Sequence, residues 1–175
     1  DYNKEKELKR SYQAVYHVNN GRICQLADEE LPQILLGDEG DAPLALLSTS
    51  RPYSLSSMWE GRTRSDYYTV SLEDGSRRLL ASADYGRYRL SPQGKYAYWY
   101  AETDSCWYTL SMADGKKVQL TTPASFPAWD EENDVPDYPN AHGVAGWTER
   151  DEALLIYDRY DIWKFNPDAM KEPVN

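Results

Sequence analysis

The sequence predicts an all-β fold built from short repeated sheets, and three observations carry that prediction. The chain holds fifteen Tyr and six Trp but two Phe. Tyr and Trp favour strands and carry a polar tip, so they suit half-buried sheet surfaces. Runs such as KYAYWYA (95–101) alternate two faces with the period of a strand, and turn signals such as SPQGK (91–95) and ADGK (113–116) bound them. Above all, residues 52–80 repeat as residues 92–120 at a constant offset of 40, with ten of 29 positions identical. Those positions include Trp59/Trp99, Tyr68/Tyr108, Thr69/Thr109, Asp74/Asp114 and Gly75/Gly115. No long helical period is present.

Taken in order, residues 1–11 form a charged segment that can coil briefly, with Glu5 and Lys9 one helical turn apart. AVYHV (14–18), the turn Asn19-Asn20-Gly21 and RICQL (22–26) read as the last two strands of a repeat, a partial unit over 12–27. Full units follow over 43–81 and 86–121. In the second, Tyr88–Leu90 opens, SPQGK turns the chain and KYAYWYA forms a strand. After ETDS comes CWYTLSM, which sets Tyr108 and Leu110 on one face and Trp107 and Thr109 on the other. ADGK makes the hairpin, and KVQL closes the unit as an outer strand. Because the offset of 40 holds without a gap, the 43–81 unit is expected to have the same order. An acidic insertion, 129–142, precedes a partial copy over 143–168. There GVAGW, ALLIY and DIWKF are strands, Trp163 and Phe165 fall where Tyr108 and Leu110 fall, and 169–175 is a tail.

Four short strands per period near forty are the signature of a β-propeller blade, because one such sheet cannot bury both faces and must stack on its neighbours. The expected architecture is a propeller fragment of about three blades, two complete and flanked by partial ones; a β-sandwich is the alternative. Such an arc leaves unpaired edges, so self-association, or termini laid over those edges, is expected.

The net charge of −10 argues against a nucleic-acid partner, since phosphate binding needs a basic face. No apolar run of 18 residues exists to span a membrane. The first residues lack both the apolar core of a signal peptide and an initiating Met, as expected of an excised piece or a mature form. Cys24 and Cys106 are the only cysteines, and their spacing leaves open whether they pair.

The blade motifs SPQGKYAYWY and DGKKVQLT (114–121) resemble TolB-like and WD-like propellers. RPYSLSSMWEG (51–61), LSPQGKYAYWY (90–100) and HGVAGWTERDEALLIYDRYDIWKFNPD (142–168), in that order, are similar to the N-terminal propeller of large secreted bacterial members of the prolyl oligopeptidase family of serine peptidases. The resemblance covers roughly residues 12–168. It implies a periplasmic or secreted protein, peptide substrates, and an α/β-hydrolase domain that does the chemistry while the propeller restricts entry. The chain has no G-x-S-x-G elbow and no recognisable triad, so no catalytic residue and no cofactor is expected in it. Two rivals stay open: an independent periplasmic propeller that binds protein or ligand, and a sugar- or lyase-type propeller enzyme.

Glu131-Glu132 is similar to the paired glutamates with which dipeptidyl peptidases hold a substrate's amino terminus, although the flanking tyrosine pattern is missing. The loop 129–143 fails the EF-hand pattern, since counting from Asp130 places Val135 and Ala141 where Gly and Glu are needed; no metal is expected. His17 and His142 have no partner at ligand spacing. Arg51, Arg62 and Arg64 supply local positive charge. Asp158 and Asp161, which could be a metal or catalytic pair, fall instead in a strand-to-strand turn, where Asp side chains bond the backbone.

Overall fold

The computed structural model of the protein describes residues 3–37 and 42–175. Its strands pair antiparallel in four sheets, and within each sheet spatial order follows chain order. The first sheet is the hairpin β1 (Ala14–His17) and β2 (Arg22–Gln25). β3 (Gln33–Leu35), β4 (Leu44–Thr49), β5 (Ser65–Ser71) and β6 (Arg77–Asp84) form the second. The third comprises β7 (Arg89–Leu90), β8 (Tyr96–Ala101), β9 (Cys106–Ser111) and β10 (Lys117–Gln119). β11 (Val144–Trp147), β12 (Leu154–Tyr157) and β13 (Ile162–Phe165) make the fourth. A short helix, α1 (Lys4–Leu8), precedes them, and a second, α2 (Ser54–Glu60), interrupts the second sheet. The chain is thus all-β in architecture, as the sequence predicts.

Turn chemistry explains the hairpins. In the turns after β5 and β9, Gly75 and Gly115 both have φ of 73°, a conformation that costs glycine little. Each glycine N–H donates 2.9 Å to the carbonyl of Ser71 or Ser111. Asp74 and Asp114 accept from the N–H two residues on, at 3.0 and 3.1 Å.

The sheets pack in chain order through three apolar clusters. Cys24, Leu26 and Leu31 meet Ala45, Leu47 and Val70 between the first sheet and the second. Leu46 and Tyr67 of the second meet Leu90, Trp99 and Tyr108 of the third. Tyr98 and Trp107 of the third meet Leu154, Ile156 and Phe165 of the fourth, with Phe126 between them. Alternation along each strand makes this possible: Trp99 and Tyr108 face back and Tyr98 and Trp107 face forward. The middle interface is a ladder of rings, Tyr67 to Tyr88 at 4.6 Å, Tyr88 to Trp99 at 4.4 Å and Trp99 to Tyr108 at 5.5 Å. Lys117 Nζ caps it 4.2 Å from the Tyr108 ring. Each such ring pair adds about 1 kcal/mol beyond its buried area.

A buried carboxylate joins the third and fourth sheets. Asp151 is 2 % exposed and accepts from Ser91 Oγ at 2.5 Å, Gln93 N at 3.1 Å and Lys95 N at 3.2 Å. Ser91 Oγ in turn accepts from Tyr96 N at 3.0 Å. One side chain of the fourth sheet therefore holds most of the SPQGK turn of the third.

Two expectations need correction. The offset of 40 holds as a structural equivalence only from β5 and β9 onward. Residues 54–60 are helix α2, not a strand, and the second strand of that sheet is β4. Leu55, Met58 and Trp59 have helical spacing, and Gly61 closes the helix at φ 66°. Trp59 is 88 % exposed where Trp99 is 3 % exposed, so their identity in the repeat is not a shared position. Next, the second sheet spans 33–84 rather than 43–81, because β3 supplies its first strand and β6 runs on to Asp84. The tail 169–175 runs beside the fourth sheet, where Val174 pairs with Lys164 as a single antiparallel bridge on the β13 edge.

Candidate functional site

Meander connectivity sorts the connections between two ends of the sheets. At one end lie the tight turns 18–21, 72–76, 91–95 and 112–116. The other end carries the long connections: 50–64 with α2, and 120–143 with the acidic insertion, beside 85–88, 102–105 and 158–161. Long ordered connections on a rigid scaffold are where binding groups collect.

Two arginines organise this end. Arg62, just past α2, donates from Nη2 to Asp137 Oδ1 at 2.6 Å and lies 3.7 Å from Glu102 Oε2. Its guanidinium sits 4.2 Å over the Tyr138 ring. It thereby ties the insertion and the β8–β9 turn to the second sheet. Arg64 pairs with Glu60 and lies over Tyr53 and Tyr85, at 5.6 and 5.8 Å. Tyr85 donates to Glu60 at 2.8 Å. Asp66 accepts from Tyr53 OH at 2.6 Å, Ser82 Oγ at 2.8 Å and Ala83 N at 2.9 Å.

The ionisation of the cluster follows from these contacts. The Tyr85 hydroxyl, and then Arg64, hold Glu60 below the usual carboxylate range. Arg62 does the same for Asp137, helped by the Tyr138 N–H. Burial pushes Asp66 upward, but the bonds from Tyr53, Ala83 and Ser82 outweigh it and leave the group depressed. All three carboxylates are thus held as anions by groups already bonded to them, a state suited to recognition and not to proton transfer.

Beside the cluster, Leu31, Thr49, Arg51, Pro52, Asp66 and Tyr68 line an open cavity of about 510 Å³. Beyond it, Leu55, Met58 and Trp59 of α2 stand exposed, an apolar stripe left uncovered among the described residues.

The residues flagged in the sequence fall as follows. Glu131 and Glu132 are exposed in the insertion, and Arg159 engages Glu132. Arg51 pairs with Glu29 at 3.3 Å. His142 and His17 each keep an Nε2 that is shielded from solvent and has no hydrogen-bond partner among the described residues. Asp158 accepts from Tyr160 N at 2.8 Å, Asp161 N at 2.6 Å and Trp163 Nε1 at 2.8 Å. Burial alone would raise Asp158, and these donors lower it. It secures the turn as expected, while Asp161 contributes its N–H and its carbonyl. Cys24 and Cys106 are both free, in different clusters. Among the described residues, no three His, Cys, Asp or Glu side chains form a metal-binding group, and no helix is long and apolar enough to cross a membrane. The Ser91–Asp151 pair is sealed from solvent and spends its bonds on the 91–96 turn.

Sequence reading flagged Arg62 and Arg64 but missed Glu60, Asp66, Tyr85, Glu102 and Tyr138. No local signal marks them, because contacts across up to 75 residues assemble the cluster. No known family model matches the chain, and no curated protein matches it.

Proposed function

We propose that the chain is a non-catalytic part of a β-propeller in a prolyl-oligopeptidase-like serine peptidase, where it restricts substrate entry and docks on an α/β-hydrolase domain. The observation that carries this reading is the serial packing of antiparallel meanders, each sheet giving one row of side chains backward and the other forward. Stacked blades require that pattern. The strings at 51–61, 90–100 and 142–168 add the resemblance to that peptidase family and, with it, a periplasmic or secreted location and peptide substrates. The long-loop end is the docking face: α2 offers Leu55, Met58 and Trp59, an exposed apolar group of the kind that marks interaction sites. Glu131 and Glu132 in the neighbouring insertion are the candidates for a peptide's ammonium group.

Labelling with a fluorophosphonate serine probe tests the proposal. This chain stays unlabelled, whereas the polypeptide of the full reading frame is labelled at a Ser in a G-x-S-x-G elbow outside residues 1–175. Within that polypeptide, Trp59→Asp loosens the hydrolase domain without unfolding the sheets. A reading frame without an elbow would overturn the peptidase reading and leave an independent binding propeller.

A further inference from the structure

The two end sheets each present an outward row that is uncovered among the described residues. In the first sheet the pair Val15↔Cys24 faces the second sheet, so the next pair, Tyr16↔Ile23, faces away. Tyr16 is 59 % and Ile23 70 % exposed, and Val18 beside them is exposed as well. In the fourth sheet Leu154↔Phe165 and Ile156↔Trp163 face the third sheet, so Leu155↔Lys164 and Tyr157↔Ile162 face away. Ile162 is 45 % exposed. Both outer rows are apolar at their centres. Lys164 is the single charge among these paired residues, in a chain where charged residues make up 27 %. Depletion of charge is what distinguishes the core of an interface from ordinary surface.

We propose that the chain associates with itself head to tail, the outer row of the fourth sheet of one copy packing on the outer row of the first sheet of the next. The internal interfaces determine the pairing. Each joins the forward row of one sheet to the backward row of the sheet that follows it. The free row of the fourth sheet is a forward row and the free row of the first is a backward row, so their contact continues the existing series. A contact of either row with itself would not. On a chain of net charge −10, copies repel one another, and contact through nearly uncharged faces adds least to that repulsion. A heterologous contact adds copies until the arc closes or a filament grows.

Size exclusion with light scattering, together with two exposed substitutions, tests this. At roughly 100 µM, where an interface of micromolar affinity is saturated, the wild-type chain runs above its monomer mass. Ile23→Glu and Ile162→Glu keep the wild-type circular dichroism, and each alone runs as the 20.2 kDa monomer. Mixed in equal amounts, they form a heterodimer and nothing larger, because each retains the face that the other has lost. A monomeric wild type, a single variant that still associates, or a mixture that stays monomeric would each overturn the head-to-tail contact. None of these results depends on the peptidase reading.

Discussion

At the scale of single residues, two side chains act through the backbone they hold, Asp151 and Asp158. Asp151 satisfies a hydroxyl and two N–H groups of a neighbouring sheet from a fully buried position. Replacing it with Ala strands those donors, at a cost of about 3 kcal/mol expected in urea unfolding. Asp158 and Asp161 look alike in the sequence, yet three donors converge on the Asp158 carboxylate. Asp158→Ala is expected to cost about 1–2 kcal/mol and Asp161→Ala less than about 0.5 kcal/mol. Equal losses would show that the turn is held in some other way. That this pair lies in a turn was legible from Asp-Arg-Tyr-Asp between two apolar runs. Which of the two carries the bonds was not, since that depends on the position of the Trp163 indole.

At the scale of elements, hairpins and strands obey local rules, and connections do not. The two Asp-Gly turns adopt the same geometry because Gly alone takes φ of 73° cheaply. β4, LALLST, is buried along nearly its whole length because sheets cover both its faces, so it carries no period-two signal. The sequence repeat therefore begins in Pro52–Gly61, which is the helical connection. The acidic insertion is likewise placed by tertiary contacts, chiefly Arg62 with Asp137 and Tyr138. Arg62→Ala removes about 1 kcal/mol from that attachment and raises amide exchange over residues 133–142 roughly fivefold. Unchanged exchange would mean that the Arg159–Glu132 pair holds the insertion instead.

At the scale of the whole molecule, stability resides in the interfaces between sheets, and the aromatic ladder of the middle one sets an alkaline limit. Burial, reinforced by the bond to Asp104, pushes Tyr108 up to about 12 from 10.0. Burial, and then the Asp84 charge, raises Tyr88 as well. An acid whose folded pKa is raised favours the folded state fully while both states are protonated. That contribution falls once the unfolded chain ionises first. The urea midpoint is therefore expected to be level in this respect below about pH 10 and to drop between about pH 10 and about 12. Tyr108→Phe flattens the drop. An unchanged slope in that variant would assign the effect to Tyr88 or to other groups.

By itself the sequence determined the strands of β1–β2, β5–β6, β7–β10 and β11–β13, their turns, and the opposite faces of Trp107 and Tyr108. Each of these depends on neighbours a few residues away, through side-chain alternation and the conformational freedom of Gly, Asn and Asp. Only the tertiary structure decided that β4 is a doubly covered strand, that 54–60 is a helix, that Asp151 is a latch, and that Arg62 gathers Glu102, Asp137 and Tyr138. The physical reason is the same in each case. Burial on two faces, and charge pairing across distant connections, are properties of packed sheets and leave no period in the chain that makes them.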